Sequence, residues 1–128
     1  MKYLLAILSD DVVFYNLLSV LIAREQIDAE VHRCESYEEI NERIKQKKSD
    51  LILVDGGLSF TSSFEIIQYL RNNKQIFCPI WYFPEIITDD HIQKSLELGV
   101  SKIFKKPFDP HFITKEINAF FQAKQLTD

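Results

Sequence analysis

The chain has 128 residues and a mass of 15.0 kDa, with 46% hydrophobic and 27% charged residues and only 3 Gly and 4 Pro. That length bounds it at one domain, and an apolar fraction rich in Phe and Tyr fills a core, which excludes a disordered, collagen-like or disulfide-stapled chain. A net charge of −4, a pI near 5.4 and a single basic cluster at Arg43, Lys45, Lys47 and Lys48 argue against nucleic acid as a direct partner.

Met1-Lys2 opens the chain, and the apolar run Tyr3 to Leu8 ends at once in Ser9-Asp10-Asp11. The run is too short for a signal-peptide core and far below the roughly 20 residues that span a bilayer, so no membrane segment is expected and the chain is assigned to the cytoplasm. In that compartment Cys34 and Cys78, which lack CxxC spacing, are expected as reduced, partly buried thiols. Tyr3 to Leu8 reads as a strand, and Leu17, Leu18, Leu21 and Ile22 recur at helical spacing behind it. A weaker strand at Ala29 to Arg33 precedes Ser36-x-x-Glu39, a capping box opening a helix with Ile40 and Ile44 inward. Leu51 to Val54 is apolar at every position, the mark of a central strand covered on both faces.

Ser62-x-x-Glu65 caps the next helix, with Ile66, Ile67, Tyr69 and Leu70, which stops near Asn72-Asn73. Ile80 to Phe83 is a strand between Pro79 and Pro84. Thr88 or Asp89 caps a helix carrying Ile92, Leu96 and Leu98, and Gly99 stands where a left-handed residue ends it. Lys102 to Lys105 is a short strand. Asp109-Pro110 then starts a last helix with Ile113, Ile117, Phe120 and Phe121 on its apolar stripe. Five strands alternating with five helices predict a three-layer, doubly wound (βα)5 α/β fold with a central five-stranded parallel sheet. Such a sheet binds ligands at the carboxyl ends of its strands.

Those ends carry Ser9-Asp10-Asp11, Asp55-Gly56-Gly57, Pro84-Glu85 and Lys105-Lys106-Pro107. Carboxylates from two adjacent strands repel unless a hard cation such as Mg²⁺, or an ammonium, lies between them, so Asp10, Asp55 and Lys106 form a candidate site. Each residue alone reads more simply as a helix cap or surface charge. Taken in order, Asp55 after the all-apolar strand, Lys106-Pro107-Phe108 and Leu98-Gly99-Val100 make the sequence resemble the response-regulator receiver domain, the CheY-like family, over essentially its whole length.

That resemblance implies phosphoryl transfer from a phosphohistidine to Asp55. Mg²⁺ would be held by Asp10, Asp55 and the Gly57 carbonyl, Lys106 would be a second positive charge, and the Lys106-Pro107 bond would be cis. It implies a histidine kinase or histidine phosphotransfer protein as donor. The downstream protein would be met through the fourth helix, fifth strand and fifth helix. The chain is accordingly expected to be a single stand-alone receiver-like domain over residues 1–128, without an output domain. It would be a signalling phosphoprotein of a two-component phosphorelay rather than an enzyme.

Four positions depart from the family pattern. Ser9 stands for an acid, removing one negative charge from the metal shell and leaving a hydroxyl that at best orients a water, with Asp11 as a weak substitute. Pro84 replaces the Ser or Thr whose hydroxyl meets the phosphoryl group, Glu85 replaces a small residue and repels an incoming dianion, and Ile103 replaces the switching aromatic. These altered positions sustain an alternative, an atypical pseudo-receiver binding partners without phosphorylation. A hydrolase using Asp55 is opposed by Gly57, which stands where a second acid is needed. The hydroxyl-rich run Ser59-Phe60-Thr61-Ser62-Ser63 is weakly compatible with anion or flavodoxin-like cofactor binding, but the acids after the first strand oppose a phosphate there. His32, His91 and His111 are scattered and read as solvated, and Trp81 reads as core.

Overall fold

The structure, a computed structural model, describes residues 3–46, 48–57, 62–72 and 76–127. In chain order these form β1 (Tyr3–Leu8), α1 (Val12–Arg24), β2 (Ala29–Cys34), α2 (Tyr37–Gln46), β3 (Leu51–Asp55), α3 (Ser63–Asn72), β4 (Ile80–Phe83), α4 (Asp89–Glu97), β5 (Lys102–Ile103) and α5 (Pro110–Thr127). The five strands pair in parallel in the order β2-β1-β3-β4-β5. The order reverses between β1 and β3, so the crevice expected to hold the site opens between those strands at their carboxyl ends.

Alternation along the strands splits the core in two. Leu5, Ile7, Leu51, Leu53, Trp81 and Phe83 face α1 and α5, where Phe14, Leu18, Ile113, Ile117 and Phe121 meet them. Ala6, Leu8, Ile52, Val54, Ile80 and Tyr82 face the other way, against Ile40 of α2 and Ile66, Ile67 and Leu70 of α3. Every residue of β3 is buried, which explains its unbroken apolar sequence and makes the acid at its end conspicuous.

Local signals behave as their chemistry dictates. Asp11 caps α1 through Oδ1, which accepts from the amides of Val13 (2.9 Å) and Phe14 (3.2 Å). Ser36 and Ser62 accept from the Glu39 and Glu65 amides, each at 3.2 Å, and Thr88 rather than Asp89 caps α4, accepting from His91 N at 3.2 Å. Asp109 Oδ1 accepts from His111 N at 2.9 Å ahead of α5. Gly99 has φ +91°, the left-handed turn expected of it, and its carbonyl accepts from Arg71 Nη2 at 2.8 Å. Arg71 also donates to the Cys78 carbonyl at 2.9 Å, tying the end of α3 to the segment that leads into β4.

Three packing expectations need correction. Leu17 is 43% exposed and Phe14 takes the inward position, because α1 is apolar nearly all round and its spacing alone leaves the buried face undecided. Leu96 is also exposed, and Ser95 is the buried residue of α4. β5 spans two residues rather than four, although Phe104 N still donates to Tyr82 O at 2.9 Å. The side chains of Ile44 and Lys45, and Lys47 itself, lie outside the described residues. No helix among the described residues is long and apolar enough to cross a membrane.

Replacing Leu53, which is completely buried, with Ala is expected to lower stability by about 2–5 kcal/mol in urea unfolding. Burial, as the largest cause, pushes both the Cys34 and Cys78 thiols up from 9.0 to about 11. The folded state thus holds these protons more tightly, and the stability they contribute is complete below pH 9 and lost as pH rises to about 11. At pH 8 an aromatic disulfide reagent is expected to label both thiols slowly in the folded protein and rapidly in urea.

Candidate functional site

β1 and β3 are in register up to Leu8 and Val54, which sets the next residues, Ser9 and Asp55, against each other. Both are buried, at 0% and 2% exposure. A carboxylate so far from water costs several kcal/mol unless it is compensated by charge and hydrogen bonds. Ser9 Oγ donates to Asp55 Oδ2 at 2.9 Å, and Lys106 Nζ reaches Oδ1 at 2.6 Å. The Gly57 amide adds a longer bond to Oδ1 at 3.4 Å. Lys106 sits just beyond β5 and is followed by Pro107 through a cis peptide bond, as the resemblance implied.

The direct bond from the Ser9 hydroxyl to Asp55 is a contact that the sequence reading did not anticipate. The same oxygen accepts from the Asp11 amide at 3.0 Å. Asp11 is committed to capping α1 and does not replace the missing acid. Asp10 follows Ser9 at the β1 exit, half-buried. Pro84 is buried, and Glu85 projects from the β4 exit with Oε1 3.6 Å from Lys106 Nζ. Ile103 is half-buried against the cluster that contains Tyr82.

Two features escaped the sequence reading. Arg33 of β2 donates from Nε to the Ser9 carbonyl at 3.1 Å and pairs with Glu35 at 2.7 Å, bracing the β1 exit from its far side. Extending the inspection of strand ends to β2 would have found it. His91, expected to be solvated, is half-buried; its Nε2 shares a 2.9 Å hydrogen bond with Tyr82 Oη and its ring stacks on Phe64. Burial raises the Tyr82 phenol above its ordinary value, opposed by a hydrogen bond with Ser63. A cleft of about 240 Å³ between the β3 and β4 exits is lined by Gly56, Ser62, Ser63, Tyr82, Glu85 and His91, among others. Ser63 Oγ donates to the Gly56 carbonyl at 3.0 Å and Ser62 caps α3, so both hydroxyls of the described part of that loop have internal roles. Ser59, Phe60 and Thr61 lie outside the described residues. His32, also expected to be solvated, is half-buried and pairs with Glu30 at 3.4 Å, whereas His111 is exposed and lies 3.6 Å from Glu25.

The donors at this edge are hard oxygens, which suits a small dication. Asp55 already attracts a cation, the Lys106 ammonium, and Asp10 and the Gly57 carbonyl belong to the same rim. Among the described residues no group of three or more His, Cys, Asp and Glu could hold a metal. Mg²⁺ characteristically needs only one or two carboxylates, completing its octahedron with water and phosphoryl oxygens. Asp10 and Asp55 therefore fit that ion, with one charge fewer than an all-acid rim supplies.

The sequence pattern described as the response regulator receiver domain matches residues 5–118. The transcriptional regulatory protein CrdR of Helicobacter pylori is 26% identical over 97 residues, covering 76% of this chain and 46% of that protein. This chain thus spans about half the length of that curated relative. Among solved structures, the chemotaxis response regulator CheY4 of Vibrio cholerae superposes with a TM-score of 0.79 at 18% identity, covering 94% of this chain and 99% of CheY4. A CheY-like response regulator receiver domain protein from Methanospirillum hungatei gives 0.82 at 16% identity, with both chains fully covered. At such identities the structural likeness speaks to the fold, and the family rests on the sequence match over residues 5–118: the chain belongs to the response regulator receiver domain family.

Proposed function

We propose that this chain works as a cytoplasmic receiver of a two-component phosphorelay, taking a phosphoryl group on Asp55 from a phosphohistidine. Receiver domains are signalling domains and generally bind Mg²⁺. The observation that carries the proposal is the buried Asp55 carboxylate held 2.6 Å from the Lys106 ammonium at the sheet's switch point. An Asp55 carboxylate oxygen attacks phosphorus, the phosphorus–nitrogen bond of the donor breaks, and the departing imidazole keeps the electron pair, leaving an acyl phosphate on Asp55. Such transfer depends mainly on positioning and charge neutralisation. Lys106 supplies a fixed positive charge, and Ser9 releases one oxygen of the acid as its hydrogen bond yields. Asp10, Asp55 and the Gly57 carbonyl would hold Mg²⁺, which supplies further positive charge against the phosphoryl oxygens.

The donor in this reading is a histidine kinase or histidine phosphotransfer protein. The signal leaves by the surface of α4, β5 and α5, on which Leu96 and Phe112 are exposed. A second reading, a pseudo-receiver that binds its partner without phosphorylation, is favoured by Pro84 and Ile103, which offer neither a hydroxyl nor a ring for the usual switch.

Prolonged incubation with phosphoramidate, a small donor with the same phosphorus–nitrogen bond, and Mg²⁺ is expected to add one phosphoryl group by intact mass. Asp55→Asn should abolish the addition, and Lys106→Ala should slow it by about 10- to 100-fold. Absence of Asp55-dependent labelling would overturn the phospho-acceptor reading. Lys106→Ala should also cost about 1–3 kcal/mol in urea unfolding by leaving a buried carboxylate without its cation, whereas Asp55→Asn should cost less. The pseudo-receiver reading predicts that partner capture survives Asp55→Asn; its loss in the folded variant rejects that reading.

A further inference from the structure

The two glycines after Asp55 mark a close approach between the β3 and β4 exits. A Cβ on Gly56 would lie 2.8 Å from both Glu85 N and Phe83 O, so backbone is pressed on backbone there. At Gly57 the obstacle is a side chain: a Cβ would lie 2.5 Å from Glu85 Oε1 and 3.3 Å from Glu85 Cδ. The Glu85 carboxyl occupies the space a larger residue would fill, and from that position it faces Lys106 Nζ at 3.6 Å. The ammonium is thus shared by two acids, one buried at the end of β3 and the other 61% exposed on the β4 exit.

We propose that Glu85 is the resident anion of the Lys106 seat, which a phosphoryl group or other tetrahedral oxyanion enters only by displacing it. The proposal rests on the phospho-acceptor reading for the identity of the natural occupant, while the seat itself follows from the contacts of Gly57, Glu85 and Lys106. Glu85 is a positioning residue: it acts through Lys106 and the space above Gly57. An ion pair this exposed holds weakly, so displacement is easy for a donor that docks on the domain and harder for a small donor with no other binding energy.

The test compares wild type with Glu85→Gln, which keeps the bulk and removes the charge, Glu85→Ala, which removes both, and the double variant Glu85→Ala/Lys106→Ala. Inorganic phosphate should raise the melting temperature of Glu85→Ala by about 2 °C, with no rise in wild type or the double variant. Phosphoramidate should label Asp55 about three- to tenfold faster in Glu85→Ala, with Glu85→Gln between it and wild type. Equal phosphate responses in wild type and Glu85→Ala, or a response that persists in the double variant, would overturn the proposal. Should phosphate bind Glu85→Ala through Lys106 while no variant is labelled at Asp55, the seat stands and the phospho-acceptor reading fails.

Discussion

A carboxylate at the end of a fully buried strand is the constraint around which this molecule is arranged. Asp55 cannot be left in that position without compensation, and the compensation comes from groups remote in sequence: a hydroxyl from the end of β1 and an ammonium from beyond β5. Bringing them together requires the parallel sheet, because only there do the exits of β1, β3 and β5 open on one edge. The charge cluster and the strand order are therefore one fact seen at two scales.

The apolar layers supply the rigidity that this arrangement needs. Phe83 packs against Phe14, Phe104 and Phe108, so the strand leading to Pro84 and Glu85, the residues flanking Lys106, and the first turn of α1 share one aromatic cluster. On the other face Tyr82, His91 and Phe64 join β4, α4 and α3 behind the site. At the β4 exit and in β5 stand a buried proline, Pro84, and a half-buried isoleucine, Ile103. The side-chain polar contacts around the site run through Ser9, Glu85 and the Tyr82-His91 pair.

Much of the fold was legible because its signals are local and redundant. Ser36, Ser62, Thr88 and Asp109 cap as their hydroxyl and carboxylate chemistry predicts, and β3 announces its depth by carrying no polar residue before Asp55. Asp55 and Lys106 were legible as a pair because both sit at strand exits. Where periodicity was degenerate it misled: Leu17 and Phe14 both satisfy a helical spacing on α1, and only the neighbouring sheet and α5 decide between them. Side-chain reach was equally hidden. Nothing in the order of residues says that the Ser9 hydroxyl bends to Asp55, that Glu85 folds over Gly57, or that His91 turns inward to Tyr82, since each depends on the distance between loops from different parts of the chain.

The lengths of the strands add an asymmetry to the central ion pair. Asp55 ends a strand flanked on both sides, by β1 and β4, whereas Lys106 hangs from an edge strand of two residues that touches β4 alone. Opening of the sheet by local fraying begins at such an edge and spares the interior. Asp55 is accordingly the pole set in the interior of the sheet, and Lys106 the pole supplied from its edge.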